Sequence, residues 1–330
     1  MNIQASTFPL NGVIGIVSNN KDEIDKAALM KLTCVEIRGD LVLDNNHSEE
    51  ELFDMVRYAR SKNIGCLLTI RLPSHGGTFN RSEIERLRLN EQGIDAGAHI
   101  IDLEWDSDAA AGALKKGLPL ILSHHDFKNM LDESTLEDLT EKMSAMKPLA
   151  IKIVPTGTTS SDGLTMLRWV NAQTDECRRI GFAMGAAGEF SRVLTCALGA
   201  PISYASFGDA VAPGQVPIKR MTDNFDVGSH NLETKIYVSL TTKKNPEFVN
   251  SINQIFRQSA TNAVFVELTH TRLVTLDECG LLNRFSGIFI DSSERLLQPS
   301  DLTKYHHLRW ENQESFSTFI ANSIEEYKAS

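Results

Sequence analysis

Short apolar, β-branched-rich runs recur through the first two thirds of the chain. They fall at 12–18 (GVIGIVS), 34–40 (CVEIRGD), 65–71 (GCLLTIR), 99–105 (HIIDLEW), 118–126 (LPLILSHHD), 149–155 (LAIKIVP), 179–185 (closing on IGFAMG) and 202–208 (ISYASFG). Between them lie stretches with apolar residues at three-to-four spacing, such as Glu50–Ser61, Ser82–Gly93 and Ser161–Gln173. Alternating strand and helix patterns predict a parallel sheet. Eight such units predict closure into a (β/α)₈ TIM barrel. An open doubly wound sheet competes less well, because no GxGxxG follows any of these runs.

The pattern breaks at MTDNFDVGSHNLETK (221–235), a polar stretch that reads as a linker. Beyond it a strand is expected over Lys235–Leu240, a helix over Glu247–Arg257 and a second strand over Asn262–Leu268. The expected organisation is therefore a barrel domain, 1–225, followed by a small α/β domain, 226–330.

A chain of 330 residues, 42% hydrophobic and 23% charged, has the makeup of an ordinary globular protein and can bury a large core without disulfides. Five cysteines with no CxxC pairing fit free thiols and a cytoplasmic location. The N-terminus shows no basic segment ahead of an apolar core, and no run is long enough to span a membrane. A net charge of −10 argues against nucleic acid as partner. It also means that a small anionic substrate needs local cations, because the overall field repels it.

Chemistry in a barrel sits at the C-terminal ends of the strands. There the sequence places Ser18, Glu36 with Arg38 and Asp40, Arg71, Asp102 with Glu104, His125 with Asp126, and Lys152. Buried charges are costly unless paired or used, so so many on consecutive strands favour a functional reading. In AIKIV, alternation sends Ile151 and Ile153 toward the helices and Lys152 into the barrel. A desolvated lysine near other cations becomes a nucleophilic amine. Against this stands an ordinary ion pair of Lys152 with Glu36 or Glu104. His125, one strand away, is placed to move protons, whereas His124 alternates outward and reads as packing or surface. Arg38, Arg71 and Arg192 form a candidate clamp for carboxylate and hydroxyl groups, with salt bridges to Asp40, Asp102 or Glu104 as the alternative. AVAPGQ (210–215) suits a tight loop over the barrel mouth.

From Gly12 to Gln215 the motifs VEIRGD, LTIR with a following GG, IDLE, SHHDF, IKIVP, SRV and APGQ resemble type I 3-dehydroquinate dehydratase. The resemblance implies a lyase of the shikimate pathway that acts on 3-dehydroquinate, with Lys152 as Schiff base and His125 as general acid and base. It further implies hydroxyl contacts from Ser18, Glu36, Arg38 and Arg71, a carboxylate clamp of Arg192 and Gln215, and no metal or organic cofactor. A homodimer is the candidate assembly. The chain departs from the family in three places. The glutamate expected before the glycine pair is His75, a candidate partner of His125 that cannot offer a full negative charge. The serine before APGQ is Val211, and the aromatic of VEWR-like versions is Ile37.

The C-terminal unit is similar, more weakly, to the substrate domain of shikimate dehydrogenase. Its polar signature is mostly replaced: Ser-x-Ser-Pro by Lys243-Lys244-Asn245-Pro246, His-Asn by Val249-Asn250, and the catalytic lysine by Arg295. It reads as an inactive remnant or an interaction module. Two rival functions remain. A class I aldolase would use Lys152 but leaves SHHDF, SRV and APGQ unexplained together. A catalytically weak or inactive metabolite-binding descendant would account for His75 and Val211.

Overall fold

The computed structural model describes residues 8–174, 177–208 and 214–290. Its first part alternates β1 (Gly12–Val17), α1 (Lys21–Leu29), β2 (Cys34–Arg38), α2 (Gly39–Asp44), α3 (Glu49–Ser61), β3 (Gly65–Thr69), α4 (Glu83–Asp95), β4 (Ile100–Glu104) and α5 (Asp108–Lys115). It continues through β5 (Leu120–Asp126), α6 (Glu133–Ala145), β6 (Ala150–Pro155), α7 (Ser160–Asn171), β7 (Arg178–Gly181), α8 (Glu189–Leu194), β8 (Ile202–Ser206) and α9 (Ile218–Asp223). All eight strands are parallel, in the order β7-β6-β5-β4-β3-β2-β1-β8. This is the expected TIM barrel.

Local chemistry starts the helices where the pattern placed them. Ser48 with Glu51 and Ser82 with Glu85 form capping boxes at α3 and α4, and Ser107 and Asp132 cap α5 and α6. The seventh strand is shorter than the apolar run suggested and ends at Gly181. No ladder joins β7 to β8 among the described residues. The seam is spanned instead by the segment around α8: Thr195 Oγ1 donates to the Gly181 carbonyl at 2.8 Å, and Ser203 Oγ on β8 donates to the Arg192 carbonyl at 2.7 Å.

The apolar core has two layers. Side chains such as Ile14, Leu67, Ile100, Ile121, Ala150 and Ile202 fill the barrel interior. Their alternates, including Ile37, Leu68, Leu103, Ile151 and Ile153, pack against the surrounding helices. Parallel strands covered on both faces need such near-continuous apolar runs.

Residues 221–235 are not a free linker. Met221, Phe225 and Val227 are buried and join the core, and Asp226–His230 turns beneath the start of β1. Three apolar side chains spaced among polar ones were enough to tie the stretch to the barrel. The second unit comprises β9 (Lys235–Thr241), α10 (Pro246–Gln258), β10 (Ala263–Thr269), α11 (Leu273–Glu278) and β11 (Phe285–Ile290), a parallel sheet in the order β10-β9-β11. It leans on the barrel through Ser160 Oγ, which donates to the Thr269 carbonyl at 2.9 Å, and through Arg284, which donates to the Ala197 carbonyl at 3.0 Å. Val211 and Arg295 lie outside the described residues.

Candidate active site

A cleft of about 500 Å³ opens at the C-terminal ends of the strands. Glu36, Arg38, Arg71, His75, His125, Lys152, Arg192 and Gln215 all line it, beside Ile16, Phe182, Met184 and Tyr204. Ser18 is not among its lining residues. It stays half-buried beside α1, with its N–H donating to Glu23 at 2.8 Å and its carbonyl accepting from Asn45 at 3.4 Å. Most of the loop 210–215 lies outside the described residues, so of AVAPGQ only Gly214 and Gln215 can be placed.

Alternation along β6 acts as expected. Ala150 and Val154 join the interior layer, Ile151 and Ile153 the helix-facing layer, and Lys152 enters the barrel with 4% exposure. Its partner differs from the two expected. Nζ donates to Asp102 Oδ2 at 3.0 Å, and neither Glu36 nor Glu104 takes that place. Both are otherwise engaged. Glu36 accepts from Thr69 Oγ1 at 2.7 Å, and Glu104 is held by Arg86, by Arg71 at 3.3 Å and by the Leu72 N–H at 3.2 Å. Burial lowers the pKa of Lys152, and Asp102 and Glu36 oppose that shift while the Arg71 cation adds to it.

Asp102 organises the interior. Besides Lys152 it accepts from Arg71 at 2.8 Å and from Ser123 Oγ at 2.6 Å, and Arg71 donates to the same Ser123 hydroxyl at 2.7 Å. Fully buried, it would be pushed up by desolvation, yet its cationic neighbours hold it well below the usual carboxylate range. Asp102 and Glu104 were legible as strand-end acids, but Ser123 and Thr69 gave no signal beyond their inward parity.

Arg38 forms a two-pronged pair with Asp40, at 2.9 and 2.8 Å. Asp40 also accepts from the Thr78 N–H at 3.2 Å, which ties Arg38 to the loop that carries His75. That loop needs its glycine pair. Gly76 has φ +77° and Gly77 lies so close to Arg71 that a Cβ would meet the Arg71 carbonyl oxygen at 2.1 Å. His75 is thereby set edge-on to His125, ring centroids 6.3 Å apart, and to His124 at 6.0 Å. His124, read as outward, thus remains half-buried at the rim. The Nδ1 atoms of His75, His124 and His125 are all buried without a hydrogen-bond partner. The pKa of His125 lies well below that of an ordinary histidine. Burial is the main cause, Arg71 and Lys152 follow, and His75 contributes after them. Phe127 stacks on the His125 ring at 6.2 Å from the solvent side.

Arg192 lies over the Phe182 ring at 4.1 Å, and burial pulls its guanidinium down to about 9. It remains charged at neutral pH, and an anion beside it would be strongly favoured. Among the described residues no cluster of His, Cys, Asp and Glu side chains is arranged to hold a metal ion, and no helix is long and apolar enough to cross a membrane.

Residues 14–231 match the family described as Type I 3-dehydroquinase. A 3-dehydroquinate dehydratase of Pyrobaculum aerophilum is 32% identical over 207 residues, covering 62% of this chain and 66% of the relative. One of Thermococcus gammatolerans is 34% identical over 159 residues, covering 47% of this chain and 73% of the relative. Solved structures share the fold. A type I 3-dehydroquinate dehydratase from Clostridium difficile superposes with a TM-score of 0.56 at 23% identity, over 65% of this chain and 90% of that one. A dehydroquinate dehydratase and shikimate dehydrogenase from S. pombe reaches 0.57 at 18% identity, over 91% of this chain and 59% of that one. With two thirds of its length matched and the motif residues gathered at one barrel mouth, the chain belongs to the type I 3-dehydroquinase family, whose hydro-lyase reaction removes water from 3-dehydroquinate.

Proposed function

We propose that this chain converts 3-dehydroquinate to 3-dehydroshikimate and water, with Lys152 as the Schiff-base residue and His125 as the proton carrier. The observation that supports this most directly is a buried lysine amine, lowered in pKa by desolvation, facing the same cleft as a histidine held neutral by burial. Lys152 adds to the substrate ketone and expels water, giving an iminium. That electron sink acidifies the adjacent C–H. His125 takes this proton. The electron pair moves toward the nitrogen and then back to expel the β-hydroxyl, which receives the proton from His125 and leaves as water. Hydrolysis of the new iminium returns the lysine and the product.

Glu36, Arg38 and Arg71 are suited to hold hydroxyl groups, and Arg192 with Gln215 to hold the carboxylate. The cations of this cleft answer the negative field of the chain as a whole. Borohydride reduction in the presence of 3-dehydroquinate tests the reading. A single covalent adduct on Lys152, lost in Lys152→Ala, supports it, and a wild-type protein that binds the compound without trapping overturns it. That second outcome would favour a metabolite-binding protein, for which the histidine at position 75 is the specific observation.

Residues 226–330 fit a degenerate shikimate dehydrogenase substrate domain that has lost its own chemistry. NADP-dependent oxidation of shikimate by the full chain would refute this. A cytoplasmic setting suits the free cysteines, of which Cys34, Cys66 and Cys196 are buried with thiols pushed up to about 12. The expected homodimer is read directly by sedimentation.

A further inference from the structure

Tyr204 on β8 points into the barrel with Ile202, by the same alternation that directs Lys152 inward from β6. Its ring face lies 4.0 Å from the Lys152 Nζ, and the ring is tilted against Phe182 at 6.1 Å. Only 2% of the residue is exposed, and it lines the cleft. Its hydroxyl is buried and has no hydrogen-bond partner. The carboxylates that face it have other donors, Thr69 on Glu36 and Ser123, Arg71 and Lys152 on Asp102. An unpaired buried hydroxyl is a standing cost that a site keeps where a ligand supplies the partner.

We infer that Tyr204 is a further working part of the Schiff-base site, its ring stabilising positive charge on the Lys152 nitrogen and its hydroxyl donating a hydrogen bond to bound substrate. The inference rests on Lys152 being the imine-forming residue. An aromatic face attracts a cation over it. The attraction acts on the resting ammonium and on the iminium alike, because both place positive charge on the same nitrogen. The charged and titratable groups that face Lys152 are Glu36 from β2, Arg71 just beyond β3, Asp102 from β4, His125 from β5 and Tyr204 from β8. Asp102 stabilises the charged nitrogen as an ion-pair partner, and the Tyr204 ring does so through its π face, which offers no atom to accept the proton. The substrate is rich in carbonyl, hydroxyl and carboxylate oxygens, any of which can accept from the phenol.

Two substitutions separate the two roles. Tyr204→Phe keeps the ring and removes the donor, and Tyr204→Leu removes both. Tyr204→Met serves in place of Leu if the smaller side chain fails to fold. For each, trapping of Lys152 with 3-dehydroquinate and cyanoborohydride is followed across pH by intact mass, alongside KM and kcat. In Tyr204→Phe the KM should rise about tenfold, the amount one neutral hydrogen bond supplies, with the trapping profile unmoved. In Tyr204→Leu the acid limb of trapping should move to lower pH by about one unit, since an ammonium without the ring loses its proton more readily. An unchanged KM in Tyr204→Phe overturns the hydroxyl role, and an unshifted limb in Tyr204→Leu overturns the ring role. Failure of the wild type to trap would sink the Schiff-base reading itself, a result distinct from either.

Discussion

Lys152 and Asp102 meet at 3.0 Å inside the barrel, both side chains buried, and Asp102 reaches Arg71 at 2.8 Å on its other oxygen. One carboxylate thus compensates two cations with opposite tasks. Arg71 must stay charged, while Lys152 must shed a proton before it can attack. Breaking a buried pair by removing one partner costs about 3–5 kcal/mol. Asp102→Asn should therefore lower the melting temperature by several degrees. It should also let Lys152 titrate at still lower pH, which pH-dependent trapping would record. A melting temperature equal to that of the wild type would show that Asp102 does not carry this compensation.

His75→Glu places a carboxylate where an imidazole now faces His125. An anion there favours the protonated form of His125, so its pKa should rise from its depressed position. The acid step that expels water should then strengthen, and turnover at neutral pH should increase while Lys152 trapping stays as it is. Slower turnover would mean that His75 has a catalytic part of its own.

Arg86 is fully buried and paired with Glu104 and with Glu83 at 3.0 Å. Arg86→Leu would leave Glu104 with Arg71 at 3.3 Å as its cationic partner. The expected loss is about 3–5 kcal/mol of stability by denaturant titration. KM should also rise, because Glu104 positions both Arg71 and the backbone at Leu72. Unaltered stability would show that the surrounding helices, and not this pair, hold α4.

Acid should weaken the fold from the ordinary histidine range downward. Burial holds His230 down to about 4 and places His75, His99, His124 and His125 below the ordinary histidine value of 6.5. In the unfolded chain these groups take up protons near pH 6.5, whereas the folded chain resists. Stability is therefore fully present above that pH and is lost as pH falls toward 4. Melting temperatures measured from pH 7 to 4.5 should decline, and His230→Asn should flatten part of the slope. A flat profile in the wild type would contradict the burial of these rings.

Much of this protein follows from periodicity alone. Eight apolar runs alternating with helical stretches already dictate a barrel, because a strand buried on both faces and a helix buried on one leave different marks along a chain. The same alternation settles that Lys152 points inward, since Ile151 and Ile153 can only face the helices. What alternation does not carry is distance between strands. Asp102, and neither of the acids first expected, holds Lys152, because Glu104 is drawn to Arg86 on α4 and Glu36 to Thr69 on β3. Ser18 directly follows β1 yet stays by α1. The polar segment after the barrel looks detached until Phe225 and Val227 are seen in the core. The Tyr204 ring, ordinary in an apolar run, gains its meaning only from the Lys152 amine 4.0 Å away on β6, two strands earlier in the chain. Local pattern is a property of neighbours along the chain, whereas partner choice depends on which charges the closed barrel brings within reach.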